Sequence, residues 1–280
     1  MKSAVTTAIS TEGRVFVAQL MRDIRARERA GANHLWPGAT SWEGAIEGFT
    51  DHLTHSAGPV KAAKKFRAAI ASLKIAQTKE GACRVNAWTR RSRSGLFEIL
   101  TWHVAKHPLI NKGYEGIVVR QHALWLRRIG AIQGVLGGTL AFLSWHALAR
   151  MHERCGVDVF SASGIAGICG TVGLLMRESP KHLNTEINLA FEGMLCLGVQ
   201  RDVPKGEKRR YGFYDVVTVL YPDEEQHPKK IEQGSIINAV VHAYLKADSA
   251  DQRGYADKIP VLPFRESDYV SRQLVHREKQ

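Results

Sequence analysis

The sequence predicts an α+β fold: a helical, basic N-terminal region packed on a mainly antiparallel β-sheet. Three observations predict it. From about residue 10 to residue 77, apolar residues recur at helical spacing among lysines and arginines. From Cys83 onward the pattern changes to alternating runs rich in aromatic and β-branched residues. Further on, the runs 193–200 and 211–221 flank a connection carrying Pro204 and Gly206, the pattern of an antiparallel hairpin. These changes divide the chain into a helical basic region (1–80), an α+β core domain (81–248) and a polar C-terminal tail (249–280).

The first predicted helix covers 10–30, with Val15, Val17, Leu20, Met21 and Ile24 as its apolar stripe. Arg22, Arg25, Arg27 and Arg29 follow, and Ala30-Gly31-Ala32-Asn33 is expected to end it. A short helix carrying Trp42, Ile46 and Phe49 is expected over 41–55. Pro59 opens a third, running to about Gln77. Its inner positions are Val60, Ala63, Phe66, Ile70 and Leu73; Lys61, Lys64, Lys65, Arg67 and Lys74 line the rest.

Arg84–Thr89 and Leu96–Val104 read as strands joined by a basic turn with Arg90, Arg91 and Arg93. His103 and His107 lie at the end of the second. Ile117–Leu126 fits a strand or a helix, since short apolar runs are ambiguous by periodicity. Gly134, Gly137 and Gly138 are expected to break the next segment. Ser161 or Ser163 is expected to cap a buried helix reaching Arg177, and Asn184–Phe191 to form a short helix. The hairpin that follows has a basic tip, Lys205, Lys208, Arg209 and Arg210, and Ile231–Leu245 is a last helix.

The net charge of +12 and pI of about 9.7 point to a polyanionic partner, RNA first and DNA second. Cys83, Cys155, Cys169 and Cys196 show no CxxC or Cys/His pairing, which argues against a zinc site and a disulfide framework. Together with an N-terminus lacking a signal-type apolar run, they predict a cytoplasmic protein without a metal. No Walker loop, HExxH, GxSxG or dinucleotide fingerprint occurs, so no cofactor is expected. Segments 131–149 and 156–176 approach the length of a membrane span. Their Gly, Ser, Thr, Gln and His residues predict buried core instead, and a membrane is not the expected partner.

The most informative stretch is Ser144 to Gly156, a helix with a good N-cap and a good stop. Trp145, Leu148, Met151 and Cys155 share one side. His146, Arg150 and Arg154 share the other, each step drifting roughly 40°. On a free face, one imidazole and two guanidiniums in a row suit a phosphodiester; the plainer reading is a solvated basic face.

Ser144-Trp145-His146-Ala147-Leu148-Ala149-Arg150, followed later by Val217-Thr218-Val219-Leu220-Tyr221-Pro222, resembles the small ribonuclease toxins that include RelE-like and BrnT-like toxins and the colicin and EndoU-type nucleases. The resemblance spans roughly residues 140–225. It implies metal-independent RNA cleavage, with His146 as general acid or base and Arg150 and Arg154 stabilising the phosphate. Thr218 and Tyr221 would join the site, and an inhibitor or antitoxin protein would be a partner. Thr218 and Tyr221 point to opposite faces of a regular strand, so only one faces the helix unless a bulge intervenes. A second reading is a non-catalytic nucleic-acid-binding protein of a phage or mobile element. It would use Lys61, Lys64, Lys65, Arg67, Arg90, Arg91, Arg93, Lys205, Lys208, Arg209 and Arg210 on phosphates.

Overall fold

The computed structural model describes residues 8–55, 58–80, 83–89, 95–109, 115–126, 132–177, 185–191, 193–201, 212–221, 227–246, 255–260 and 262–263. The fold is α+β. Helices α1 (Thr11–Leu35), α2 (Trp42–Thr54) and α3 (Pro59–Glu80) come first, then strands β1 (Cys83–Thr89), β2 (Gly95–Lys106), β3 (Glu115–Leu126) and β4 (Ile132–Ser144). Two helices follow, α4 (Trp145–Cys155) and α5 (Val159–Arg177). The chain then forms β5 (Thr185–Phe191), β6 (Met194–Arg201), β7 (Phe213–Leu220), α6 (Pro228–Lys246) and a short β8 (Leu262–Pro263). One sheet joins the strands in the order β1-β2-β3-β4-β7-β6-β5-β8. It is mainly antiparallel, but β4 and β7 pair in parallel, because α4, α5 and the β5–β6 pair lie between them in the chain.

The N-terminal helices form where their spacing predicts, except that Val15 and Val60, expected on the apolar sides of the first and third, are exposed. The Ser10 hydroxyl caps α1 by accepting from the Gly13 N–H (3.0 Å), and Phe16, Val17, Leu20, Met21 and Ile24 are buried. The helix does not end at Ala30–Asn33. Gly31 and Ala32 are buried there as packing surface, and the chain leaves helical geometry only at Trp36. The hydrophobic core is continuous from these helices into the sheet and α4–α6, so the helical region is packed on the strands and not set apart from them.

The apolar segment 156–176 becomes α5, which crosses one face of the sheet. The Trp102 indole donates to the Ser163 carbonyl (3.1 Å). One helix edge is glycine: Gly167 lies over the Trp102 ring, Gly170 over Val119, and Gly173 against the Leu140 carbonyl. These residues dilute hydropathy because a side chain there would hold the helix off the strands. The window Val159–Met176 is long and apolar enough to cross a membrane, and 67% of it is buried in this fold.

Ile117–Leu126 is a strand, settled by pairing with both neighbours. The run with Gly134, Gly137 and Gly138 does not end there but continues as β4, its pairing interrupted twice: Gly137 and Gly138 together face Gln121, and Leu140 is bulged out between Thr139 and Ala141. Asn184–Phe191 is not a helix. As β5 it alternates Ile187 and Leu189, which enter the main core, with Glu186 and Asn188, which meet α6. Gln233 accepts from the Asn188 side chain (2.8 Å), and Lys230 pairs with Glu186 (2.8 Å). The polar tail likewise begins later than its composition suggests. Ile259 is buried, the Gln233 amide donates to the Pro260 carbonyl (2.9 Å), and Leu262 and Pro263 pair with β5.

The glycine edge of α5 gives a direct test. Gly173→Ala improves intrinsic helix propensity by about 1 kcal/mol, yet its Cβ would strike the Leu140 backbone. Thermal melting should show net destabilisation of roughly 1–3 kcal/mol from overpacking; an unchanged or raised Tm would contradict this packing.

Candidate functional site

The caps of α4 are as the sequence predicts. The Ser144 hydroxyl accepts from the Ala147 N–H (3.1 Å), and Gly156 is left-handed at φ 62°. The face carrying the three basic residues is not free, however. Arg150 is buried, at 5% exposure, and donates to Glu153 at 2.6 Å. The other Glu153 oxygen accepts from the Ser10 N–H at the start of α1, also at 2.6 Å. Burial works to raise the Glu153 carboxyl; the Ser10 hydrogen bonds and the Arg150 guanidinium outweigh it and leave it below its usual range.

Arg154 turns to the sheet and donates to the Val219 carbonyl (2.5 Å). His146 is half-buried in the first turn. The expectation of a solvent-facing His146–Arg150–Arg154 row is therefore corrected: α1 packs on one flank of α4 and β7 on the other. His152 stacks on Phe16, with ring centroids 4.4 Å apart.

Thr218 does not join this row. It is the register partner of Leu197, while its neighbour Val219 partners Cys196. Cys196 and Val219 enter the main core with Leu148 and Met151; Leu197 belongs to a separate cluster with Val199 and Val217. Thr218 thus stands on the sheet face away from α4. A bulge exists, at Val217, but it precedes Thr218 and does not bring Thr218 and Tyr221 together. Tyr221 is 66% exposed just past the strand end. Arg90, Arg91, Arg93, Lys205, Lys208, Arg209 and Arg210 lie outside the described residues.

The basic residues of α3 are placed as predicted. Lys61, Lys64, Arg67 and Lys74 are exposed, and Lys65 is half-buried, donating to the His52 carbonyl (3.3 Å). The charged residues from Pro59 through Gln77 are all basic.

The structure also assembles polar groups that the sequence separates. Glu28 of α1 reaches His103 Nδ1 (3.0 Å), His103 Nε2 reaches the Thr101 hydroxyl (2.7 Å), and that hydroxyl reaches His122 Nε2 (3.1 Å). With neutral rings one assignment satisfies the chain. His103 donates to Glu28, Thr101 donates to His103, and His122 donates to Thr101, leaving His122 Nδ1 a buried acceptor with no hydrogen-bond partner among the described residues. Burial above all, then His103 and Arg120, pull His122 down to about 3, so it is neutral at pH 7.

The carboxylate, imidazole and hydroxyl have the spacing of a nucleophilic triad. Thr101 is fully buried, however, which places the row inside the packing and out of reach of a substrate. His107, the other histidine singled out, faces Asp215 through Nε2 (3.3 Å) and accepts the Leu109 N–H at Nδ1 (3.1 Å). Arg201 also donates to Asp215 (3.1 Å). Glu28, Thr101, His122 and Asp215 escaped the sequence reading because nothing local marks contacts made across so much chain.

All four cysteines are free thiols. Burial pushes Cys83 up to about 12 and raises Cys155, Cys169 and Cys196 as well, so none is a ready thiolate. Among the described residues no group of three or more His, Cys, Asp or Glu is arranged to hold a metal. No protein-family model, curated protein or solved structure matches the chain.

His122 sets a pH dependence. Its folded pKa lies below its ordinary 6.5, so the unfolded chain binds the extra proton, and stability falls as pH drops from about 6.5 toward 3. At most about 1.4 kcal/mol is lost per pH unit. His122→Gln should flatten that part of the stability–pH curve; superimposable slopes for parent and variant would contradict the buried, neutral His122.

Proposed function

We propose that this protein binds nucleic acid without cleaving it, using its N-terminal helices to hold phosphates. The observation that carries this reading is α3. It is a long helix whose inner side is fixed in the core by Phe66, Ile70 and Leu73 and whose outer side presents Lys61, Lys64, Arg67 and Lys74. Like charges gathered on one solvent face repel one another; phosphates offset that repulsion by their own negative charge, and the counterions they release on binding add to the affinity. Phosphate contacts position a protein without specifying sequence, so the expected binding is broad. RNA and DNA both supply the chemistry.

Cleavage at α4 is the weaker reading. General acid–base catalysis needs the imidazole and the guanidiniums to converge on one reachable phosphate. Arg150 is engaged with Glu153, Arg154 with a strand carbonyl, and Thr218 stands across the sheet. Support for binding does not depend on any of these residues.

The test is binding of mixed-sequence RNA and DNA across a salt series. Replacing Lys61, Lys64, Arg67 and Lys74 with Gln should weaken binding and flatten the salt slope by up to about 0.9 for each lost duplex phosphate contact. Total RNA incubated with the parent in EDTA should stay intact. Undetectable binding at low salt, or cleavage abolished by His146→Ala, would overturn the proposal.

A further inference from the structure

The structure places a second basic surface on α1. Arg14, Arg22, Arg25 and Arg29 are all exposed, and successive steps of eight, three and four residues keep them within roughly 80° of one another around the helix. At about 1.5 Å per residue the row is roughly 22 Å long. The acids of α1 lie off it. Asp23 pairs with Arg27 (2.6 Å), Glu28 faces His103, and Glu12 approaches His152 (3.5 Å). Within the row, Arg25 donates to Glu115 (3.1 Å) and Arg22 to the Ala18 carbonyl (3.3 Å).

We infer that this arginine row tracks the phosphates of a nucleic-acid duplex. The inference rests on the nucleic-acid-binding reading above and names the form of the ligand. Three features select a duplex. Guanidiniums bind phosphate oxygens through paired N–H groups, and a straight row of them suits a stiff, regular array of phosphates. Ala18 lies inside the row and Val15 and Ala26 flank it, all short side chains, so the helix can approach a backbone closely. Single strands are held largely by stacking bases on aromatic rings, and the row contains none; the exposed large hydrophobic residue of α1 is Val15. An anionic membrane is disfavoured by the same helix. Its apolar side, Phe16, Val17, Leu20, Met21 and Ile24, is already buried in the core and has nothing to insert.

The experiment compares the parent with Arg14→Gln/Arg22→Gln/Arg29→Gln, leaving Arg25 and its Glu115 bond in place. A charge-keeping control carries Lys at the same three positions. Each protein is titrated, over a salt series, with duplexes of about 25 base pairs in RNA and in DNA, with the corresponding single strands, and with phosphatidylserine vesicles. The parent should prefer duplex. The Gln variant should lose up to about 2.7 in the slope of log K against log salt, roughly 0.9 per arginine, and the Lys control should keep most of that slope. RNA and DNA duplexes responding alike support the row as a reader of duplex phosphates in general, and one responding more than the other supports it and identifies the source. A parent that binds duplex with a slope unchanged in the Gln variant overturns the α1 inference and leaves the wider reading standing. Preference for single strands or for vesicles also overturns it, and a parent that binds no nucleic acid overturns both.

Discussion

The Glu153 carboxylate is the constraint on which the arrangement of this molecule depends. One oxygen accepts the buried Arg150 guanidinium, and the other accepts the N–H of Ser10, the residue that caps α1. Gly13 lies against the same carboxylate, where a β-carbon would collide with it. Arg150 is buried while Glu153 is half-buried, so it is the guanidinium that would bear most of the desolvation cost if the pair were broken. The bracket therefore fixes where α1 begins relative to α4. One residue on, α4 is tied to the sheet by Arg154 on the Val219 carbonyl. The direction in which α1 runs, and so where its exposed arginines stand, is set by that contact at its start together with the buried Phe16, Val17, Leu20, Met21, Ile24 and Leu35 along its length.

This bracket also explains what the sequence could and could not reveal about α4. Helical angles identify which residues share a face, and the caps at Ser144 and Gly156 were legible because capping is local chemistry. How much of the circumference would be covered was not legible. Arg150 sits on the polar side by sequence, but α1 arrives from far back in the chain to bury it. The row Glu28–His103–Thr101–His122 was hidden for the same reason, although His103 itself was singled out.

Other differences are also tertiary in origin. Glu186 and Asn188 alternate with Ile187 and Leu189 at strand spacing, over a run too short to exclude the expected helix, and both are polar because α6 supplies Gln233 and Lys230 to meet them. Gly167, Gly170 and Gly173 looked like dilution of an apolar segment and are in fact the contact edge of α5. The hairpin of β6 and β7, by contrast, was legible as two apolar runs flanking a Pro204/Gly206 connection, and the two strands do pair antiparallel, buried on both faces.

The functional account follows from how these constraints divide the charge. Basic groups near the sheet are consumed in holding the fold: Arg150, Arg154 and Arg201 each bond a carboxylate or a strand carbonyl. Basic groups on α1 and α3 face solvent on helices whose inner sides are anchored. Arg150 in this arrangement braces α4 against the start of α1 through Glu153. A double-mutant cycle on Arg150→Met and Glu153→Met, followed by thermal melting with RNA cleavage assayed on each protein, tests this most directly. Glu153→Met, which leaves the buried guanidinium alone, should destabilise by roughly 3–5 kcal/mol and Arg150→Met by less, the double substitution should cost far less than their sum, and no protein should cleave RNA in EDTA. An Arg150→Met protein of unchanged stability that had lost a cleavage activity present in the parent would contradict the account.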